Sequence, residues 1–479
     1  MEAINLFSKL DSMIKYLHLL PSILTIISLG FFTSCDKKHS DEDFTAYFGG
    51  EVIDPQTNYV LLLKDNEVVD TLFLDEKNRF LHKFDSLTPG LYTFKHQPEY
   101  QYVYFDKNDS LMVLINTRDF DNSIVFCGRG YEKNNYLMEM YLLNEKDRSN
   151  MYDVFFRNSK DFIKNIDSSF ALRKKVYEKH KAKNEWNESF DSLALASLEL
   201  PNYFVKEVYP YAHKFISGEN VINELPKDYY DHRKKIDFNN PTFANYYPYV
   251  NYVTSLLNNI TFTEKKGDID EFTLENSIKK LNIADTLIKN HKIKNTVLNG
   301  LAMRYLLEDQ NMYNNATFIN RYLEISTDKK MQKEINNIAA SIHKLSVGKK
   351  LPNENFVDIN NNPIALEKLI HNQTVIFFCT TNAESHLNSV HKKVFKLKEK
   401  YPNIDFIAVN IDDTYEEWKT KLDGFNHKSI VEIHADDFEK IREDWVINKI
   451  HRTIILNADG TIKNAFVNLF DVNFEKNLE

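Results

Sequence analysis

The chain has 479 residues, with 60 Lys and Arg against 69 Asp and Glu, a formal net charge of -9 at pH 7, and 43% apolar residues. At ~100–200 residues per domain the length predicts several domains; the apolar share excludes wholesale disorder, and the acidic balance argues against nucleic acid, which needs a basic footprint. With 12 Gly, 12 Pro and three cysteines (Cys35, Cys127 and Cys379), collagen-like, linker-rich, Gly-loop-rich and disulfide-scaffold designs are excluded too.

Residues 16–32 carry no charge apart from an ambiguous His18. The run is short for a spanning helix of ~20 residues and contains Pro21. Lys9 and Lys15 precede it, and the small Thr33 and Ser34 follow. This is the order of a secretory signal over residues 1–34. Met13, followed by Ile14 and Lys15, would open a more typical signal than Met1. The run Phe32-Thr33-Ser34-Cys35 resembles a bacterial lipobox, with Phe32 where Leu is usual. The resemblance implies cleavage before Cys35 and acyl chains such as palmitate on that cysteine. A plain signal peptide with an incidental cysteine, or an uncleaved anchor, are the alternatives. Residues 35–43 read as a polar tether, and the acidic end of the tether resembles surface-export signals of some Gram-negative lineages. The expectation is a lipid-anchored protein of the cell envelope, on the outer membrane, periplasmic or surface-exposed. Two or three acyl chains give stable anchoring where one is marginal.

Residues 44–130 predict a small β-sandwich. Seven short aromatic and β-branched runs fall at 59–63, 68–74, 79–84, 91–94, 102–105, 111–115 and 124–127, separated by turn pairs such as Asp65-Asn66, Lys77-Asn78 and Pro89-Gly90. Residues 131–347 change to a helical period. Met331, Ile335, Ile338, Ala339, Ile342 and Leu345 share one helix face, with Ser326 or Thr327 as its cap. Val297, Leu298, Leu301, Ala302, Tyr305 and Leu306 share another. Tyrosines cluster at 209–211, 229–230 and 246–252. Packing between helices is the reading preferred over a glycan- or peptide-binding surface. Residues 348–479 alternate strand and helix: a buried strand at 374–380, a helix at 383–400 with Leu387, Val390, Val394, Phe395 and Leu397 inward, a strand at 404–411, a helix at 414–422, a strand at 429–434, a helix at 436–444, and a hairpin around Asn457-Ala458-Asp459-Gly460. The predicted architecture is therefore multidomain: β-sandwich, all-α middle, and an α/β domain of thioredoxin-like type.

The last stretch resembles the TlpA/ResA-like thioredoxin domains of exported bacterial proteins. The resemblance rests on Gly348-Lys-Lys-Leu-Pro352, Phe356-Val-Asp-Ile-Asn-Asn-Asn362, Val375-Ile-Phe-Phe378, the run 401–412 with Trp418, and Ile454-Ile-Leu-Asn-Ala-Asp-Gly460, in that order. Phe48-Gly49 and Phe126-Cys-Gly-Arg-Gly130 followed by Asn134-Asn-Tyr-Leu137 are similar to the β domain of unknown function that precedes a helical region in such lipoproteins. Active members of the family carry Trp-Cys-x-x-Cys where the strand meets the helix. A helix N-terminus lowers the first thiol's pKa, and the second thiol resolves the mixed disulfide. Here those positions hold Ala383 and His386, or Asn382 and Ser385 in a register shifted by one. The family's cis-proline aligns with His451, for which a trans bond is expected. Both sulfurs and the proline are replaced, which predicts a redox-inactive member.

Cys379 lies four residues before the first replaced cysteine. It is a candidate monothiol, though strand-end cysteines are more often inert core residues. A Cys127–Cys379 disulfide has no support in the sequence. Glu384, His386 and His451 would converge on the old active-site face; they are weighed as ligands and set aside for want of a compact metal motif. No catalytic residue, metal or cofactor is assigned. Phosphate loops, Gly-x-Ser-x-Gly elbows and His-Glu-x-x-His pairs are missing from the sequence. The expected function is a non-catalytic binding or assembly module with a protein or peptide partner in the envelope. A thiol-disulfide oxidoreductase and a glycan-binding surface lipoprotein are the alternatives.

Overall fold

The computed structural model describes residues 44–266, 273–309, 311–411, 413–422, 430–471 and 473–479. Cys35 and the expected signal and tether lie outside them. No helix among the described residues is long and apolar enough to cross a membrane. Contacts divide the chain into two units at Met138/Glu139.

The first unit is a sandwich of two four-stranded sheets. Its strands are β1 (Ala46–Ile53), β2 (Tyr59–Lys64), β3 (Glu67–Phe73), β4 (Arg79–Phe84), β5 (Gly90–His96), β6 (Glu99–Phe105), β7 (Ser110–Asn116) and β8 (Val125–Arg129). The sheets run β4-β1-β7-β8 and β3-β2-β5-β6. Phe48, Phe94 and Phe105 are fully buried, with ring centroids 5.5–5.9 Å apart around Phe48. The strand β1 is the one that the sequence pattern missed. It holds Gly49 and Gly50, which weaken a strand signal, yet it is central. A Cβ at Gly50 would lie 2.2 Å from the Val113 carbonyl oxygen. Glycine is needed because the neighbouring backbone comes that close.

The Asn134-Asn135 pair has a structural job. It sits in the first turn of α1 (Tyr131–Arg148). The Asn134 side chain accepts from the Tyr104 amide at 2.7 Å and donates to the Tyr104 carbonyl at 2.9 Å. Asn135 does the same to Phe126, at 2.9 Å both ways. Tyr104 is on β6 and Phe126 on β8, the end strand of each sheet. The two amides thus satisfy strand-edge groups that would otherwise be orphaned under the helix.

The second unit contains the helical region and the α/β domain. The helices are α2 (Met151–Phe156), α3 (Ser159–Lys183), α4 (Glu188–Ser217), α5 (Tyr247–Glu264), α6 (Leu274–Leu287), α7 (His291–Glu308), α8 (Met312–Ile325) and α9 (Lys329–Lys344). The face predicted on α7 is wholly buried. The cap of α9 is Asp328, which accepts from the Met331 amide, rather than Ser326 or Thr327. Ser326 instead ends α8, its amide bonded to the Tyr322 carbonyl. Tyr209, Tyr229, Tyr246, Tyr249 and Tyr252 are buried, and Phe162 stacks on Tyr209 at 3.7 Å. Tyr247 is exposed. The clustered phenols therefore pack between helices, as their amphipathic rings allow.

The α/β domain has a seven-stranded sheet, β10-β9-β13-β12-β11-β14-β15. Its strands are β9 (Phe356–Val357), β10 (Pro363–Ile364), β11 (Thr374–Cys379), β12 (Asp405–Asn410), β13 (Val431–Ala435), β14 (Arg452–Leu456) and β15 (Ile462–Asn468). β11, β12 and β13 are parallel, and β14 and β15 form the antiparallel hairpin. The helices are α10 (Glu384–Lys400), α11 (Tyr415–Leu422) and α12 (Phe438–Asp444). β11 is buried at every position because both sheet faces are covered. Val375, Phe377 and Cys379 pack toward Leu387, Val390 and Val394 of α10. Phe378 points the other way, to Trp445, at 6.3 Å between ring centroids. Phe395 was expected inward but is 41% exposed. Each residue advances about 100° round a helix, so Phe395 leaves the line through Leu387 and Val394, and His391 takes the inner place.

Candidate functional site

The site lies where β11 runs into α10. The strand ends at Cys379, Thr380 and Thr381 begin the turn, a 3-10 turn covers Thr381–Ala383, and α10 starts at Glu384. Asp413, just past β12, holds this turn. It accepts from the Thr381 amide at 2.7 Å, from the Thr380 and Thr381 hydroxyls, and from the Asn410 amide. Ala383 is the N-cap and brings no side-chain acceptor to the first-turn amides.

Glu384 and Ser385 are exposed. Glu384 pairs with Lys421 of α11, and that ammonium holds the Glu384 carboxyl below the usual range. The carboxylate is thus engaged with α11. His386 shares a hydrogen bond of 3.2 Å with the Phe378 carbonyl and lies 5.9 Å from the Phe470 ring. Burial lowers the pKa of His386; burial, Lys449 and His386 together lower that of His451. Both imidazoles are therefore biased toward the neutral form, and they are near enough to repel when charged. Among the described residues the cis peptide bond is Gln97–Pro98, so His451 follows a trans bond.

Cys379 is 1% exposed and not in a disulfide; neither is the exposed Cys127. The Cys379 Sγ lies 3.8 Å from the Val409 carbonyl oxygen. The thiol is thus enclosed at the strand end, where cysteines more often pack as core residues.

The structure also brings together residues that the sequence analysis missed. The Cys379 sulfur, a His391 ring nitrogen and a Glu432 carboxylate oxygen all lie within 4.8 Å of one another. His391 Nδ1 is 2.7 Å from the Leu387 carbonyl oxygen, and Nε2 is 3.0 Å from Glu432 Oε1. Burial pulls the His391 pKa down, but the bond and charge of Glu432 and the Leu387 carbonyl outweigh it and raise the pKa. The sequence signal was a histidine in the middle of an apolar helix face, at the spacing of Leu387, Val390 and Val394.

Residues 372–462 match a protein-family model described as thioredoxin-like. The domain is thioredoxin-like. Among solved structures, a Bacteroides vulgatus protein provisionally named a thiol-disulfide oxidoreductase is 24% identical, over 28% of this chain and 95% of that one, with a TM-score of 0.26. A thioredoxin-like protein from Bacteroides caccae is 14% identical over 57% and 92%, with a TM-score of 0.34. The thioredoxin domain of a thiol-disulfide oxidoreductase from Bacteroides vulgatus is 18% identical over 25% and 86%, with a TM-score of 0.21. No curated protein matches the chain. The thioredoxin-like domain thus starts its main helix on Ala383, Glu384, Ser385 and His386, with its strand cysteine under the surface.

Proposed function

We propose that the protein is an exported, lipid-anchored envelope component whose thioredoxin-like domain binds a protein or peptide partner without thiol chemistry. The observation that carries this reading is the residue content of the β11–α10 turn. Dithiol exchange needs an accessible thiolate at the helix start and a second thiol three positions on. Ala383 and His386, or Asn382 and Ser385 in the register shifted by one, hold those positions, and Cys379 is buried in the core. What remains is a supported strand-to-helix turn flanked by the His386 and His451 imidazoles and Phe470, a surface suited to a peptide rather than to electron transfer.

The names of the solved neighbours would bring thiol-disulfide oxidoreduction to this chain, and one assay separates the two readings. Insulin reduction by dithiothreitol should run at the same rate with and without the purified protein. An acceleration that disappears in Cys379→Ser would overturn the binding-module reading.

The anchor rests on Cys35 in its lipobox-like setting. In cells of a lipoprotein-processing bacterium, the wild-type chain should partition into the detergent phase of Triton X-114 and incorporate labelled palmitate. Cys35→Ser should lose the label. Label retained by Cys35→Ser would remove the lipidation proposal. Proximity labelling from the intact lipoprotein, beside the Cys35→Ser control, then identifies the partner.

A further inference from the structure

Cys379, His391 and Glu432 come from β11, α10 and β13 and meet on one face of the sheet. Register explains the meeting. Phe377 pairs with Ala408, and Ala408 with Glu432, so these side chains project to the same side as Cys379 two residues on. α10 lies across that face and lowers His391 onto it, the ring 5.5 Å from Phe377.

Two buried oxygens mark this place. Glu432 Oε2 and Asn410 Oδ1 have no hydrogen-bond partner among the described residues. Asn410 is fully buried and pairs in register with Cys379 on the adjacent strand, so its side chain is on the same face. A buried acceptor without a donor costs ~1–3 kcal/mol. Two such acceptors on the sheet face that carries the thiol and the imidazole offer oxygen donors to a cation.

We propose that Cys379, His391 and Glu432 form a structural zinc site, with Asn410 Oδ1 available for the fourth position. The donor set of thiolate, imidazole and carboxylate suits zinc. Tetrahedral zinc, with bonds of ~2.0–2.3 Å, places its ligands roughly 3.3–3.7 Å apart. The 3.0 Å between His391 Nε2 and Glu432 Oε1, and the 4.8 Å bound on the whole set, need only small adjustment to reach that spacing. The outer shell is in place: the Nδ1–H of His391 donates to the Leu387 carbonyl, which fixes the ring with Nε2 toward the cluster.

The ligand charges suit a dication. Zinc binds Cys379 as the thiolate and His391 through a bare Nε2, so any proton on either atom leaves to solvent as the bond to zinc forms. With thiolate and carboxylate as ligands, two negative charges match the dication and the site carries no net charge.

The test uses the intact chain purified in detergent, stripped with chelator and reloaded with Zn²⁺ or Co²⁺. One zinc per chain should survive dialysis, measured by ICP mass spectrometry. The Co²⁺ form should show a near-ultraviolet thiolate-to-metal band. Cys379→Ser should abolish that band, and Glu432→Gln should weaken zinc binding roughly tenfold or more. Apparent affinity should fall as the pH is lowered, because protons compete with zinc for the ligand atoms. Glu432→Gln is isosteric, and far-UV circular dichroism reports its fold independently of metal. Absence of stoichiometric zinc, a cobalt band that persists in Cys379→Ser, or wild-type affinity in folded Glu432→Gln would each overturn the assignment.

Discussion

Glu207→Ala should destabilise the helical region by about 3–5 kcal/mol, the cost of leaving buried charge without its partner. Glu207 lies on α4 with no exposed side-chain surface. Its carboxylate accepts from Arg233 Nε at 2.8 Å and Arg233 Nη2 at 2.6 Å. His232 Nε2 lies 2.8 Å from Oε1, and the Asn259 amide donates at 2.7 Å. The guanidinium also stacks over the Tyr230 ring at 3.9 Å. Truncation would leave the largely buried Arg233 guanidinium without its carboxylate, and His232 and Asn259 without their shared acceptor. Against a total stability of ~5–15 kcal/mol this is a large share. Urea unfolding followed by circular dichroism reads it directly. A loss under about 1 kcal/mol, the size of an exposed ion pair, would show that the network is not buried in solution.

The same carboxylate predicts a pH dependence. Burial by itself would raise the Glu207 pKa; hydrogen bonds and charge from Arg233 and His232 overcome that and lower it below 4.5. A depressed folded-state pKa stabilises above the unfolded value and is lost as the pH falls through the folded one. The wild type should therefore lose this contribution below pH 4.5, and Glu207→Ala should show a correspondingly shallower acid limb.

Ala383→Cys with His386→Cys should give the β11–α10 turn a dithiol. Ala383 is the N-cap of α10, and His386 lies three residues on. Cα atoms three apart on a helix are about 5 Å apart, inside the ~4.4–6.8 Å window for a disulfide. A helix start lowers a thiol pKa from ~8.5 to ~7, which raises the thiolate fraction at pH 7 from about 3% to about half. Insulin reduction should rise about tenfold above the dithiothreitol-only rate. Asn382→Cys with Ser385→Cys, the other alignment register, should stay at background. If the first variant forms its disulfide and yet does not accelerate the reaction, then thiols at these positions are not sufficient, and the His451 loop is the first place to look.

Much of the architecture was legible along the chain. The α/β alternation and the inner face of α7 are local periodicities, and they survive folding. The misses share a cause. β1 carries Gly49-Gly50, so its strand character comes from two neighbouring strands rather than from its own side chains. Ser326 could not cap α9 because it already ends α8. His391 has no partner near it in the sequence, since Glu432 is 41 positions away.

The amino-acid sequence by itself determined where thiols can be. It leaves two cysteines after Cys35, at Cys127 and Cys379, with neither at the helix start, and no packing can supply a missing sulfur. What became of Cys379 was decided by tertiary structure. Sheet register set its side chain beneath α10, and the helix phase set His391 over it. The crossover to β13 then brought in a carboxylate from a distant segment. The reason is physical: covalent content is a property of the chain, whereas burial, partner and protonation depend on which distant strands share a face.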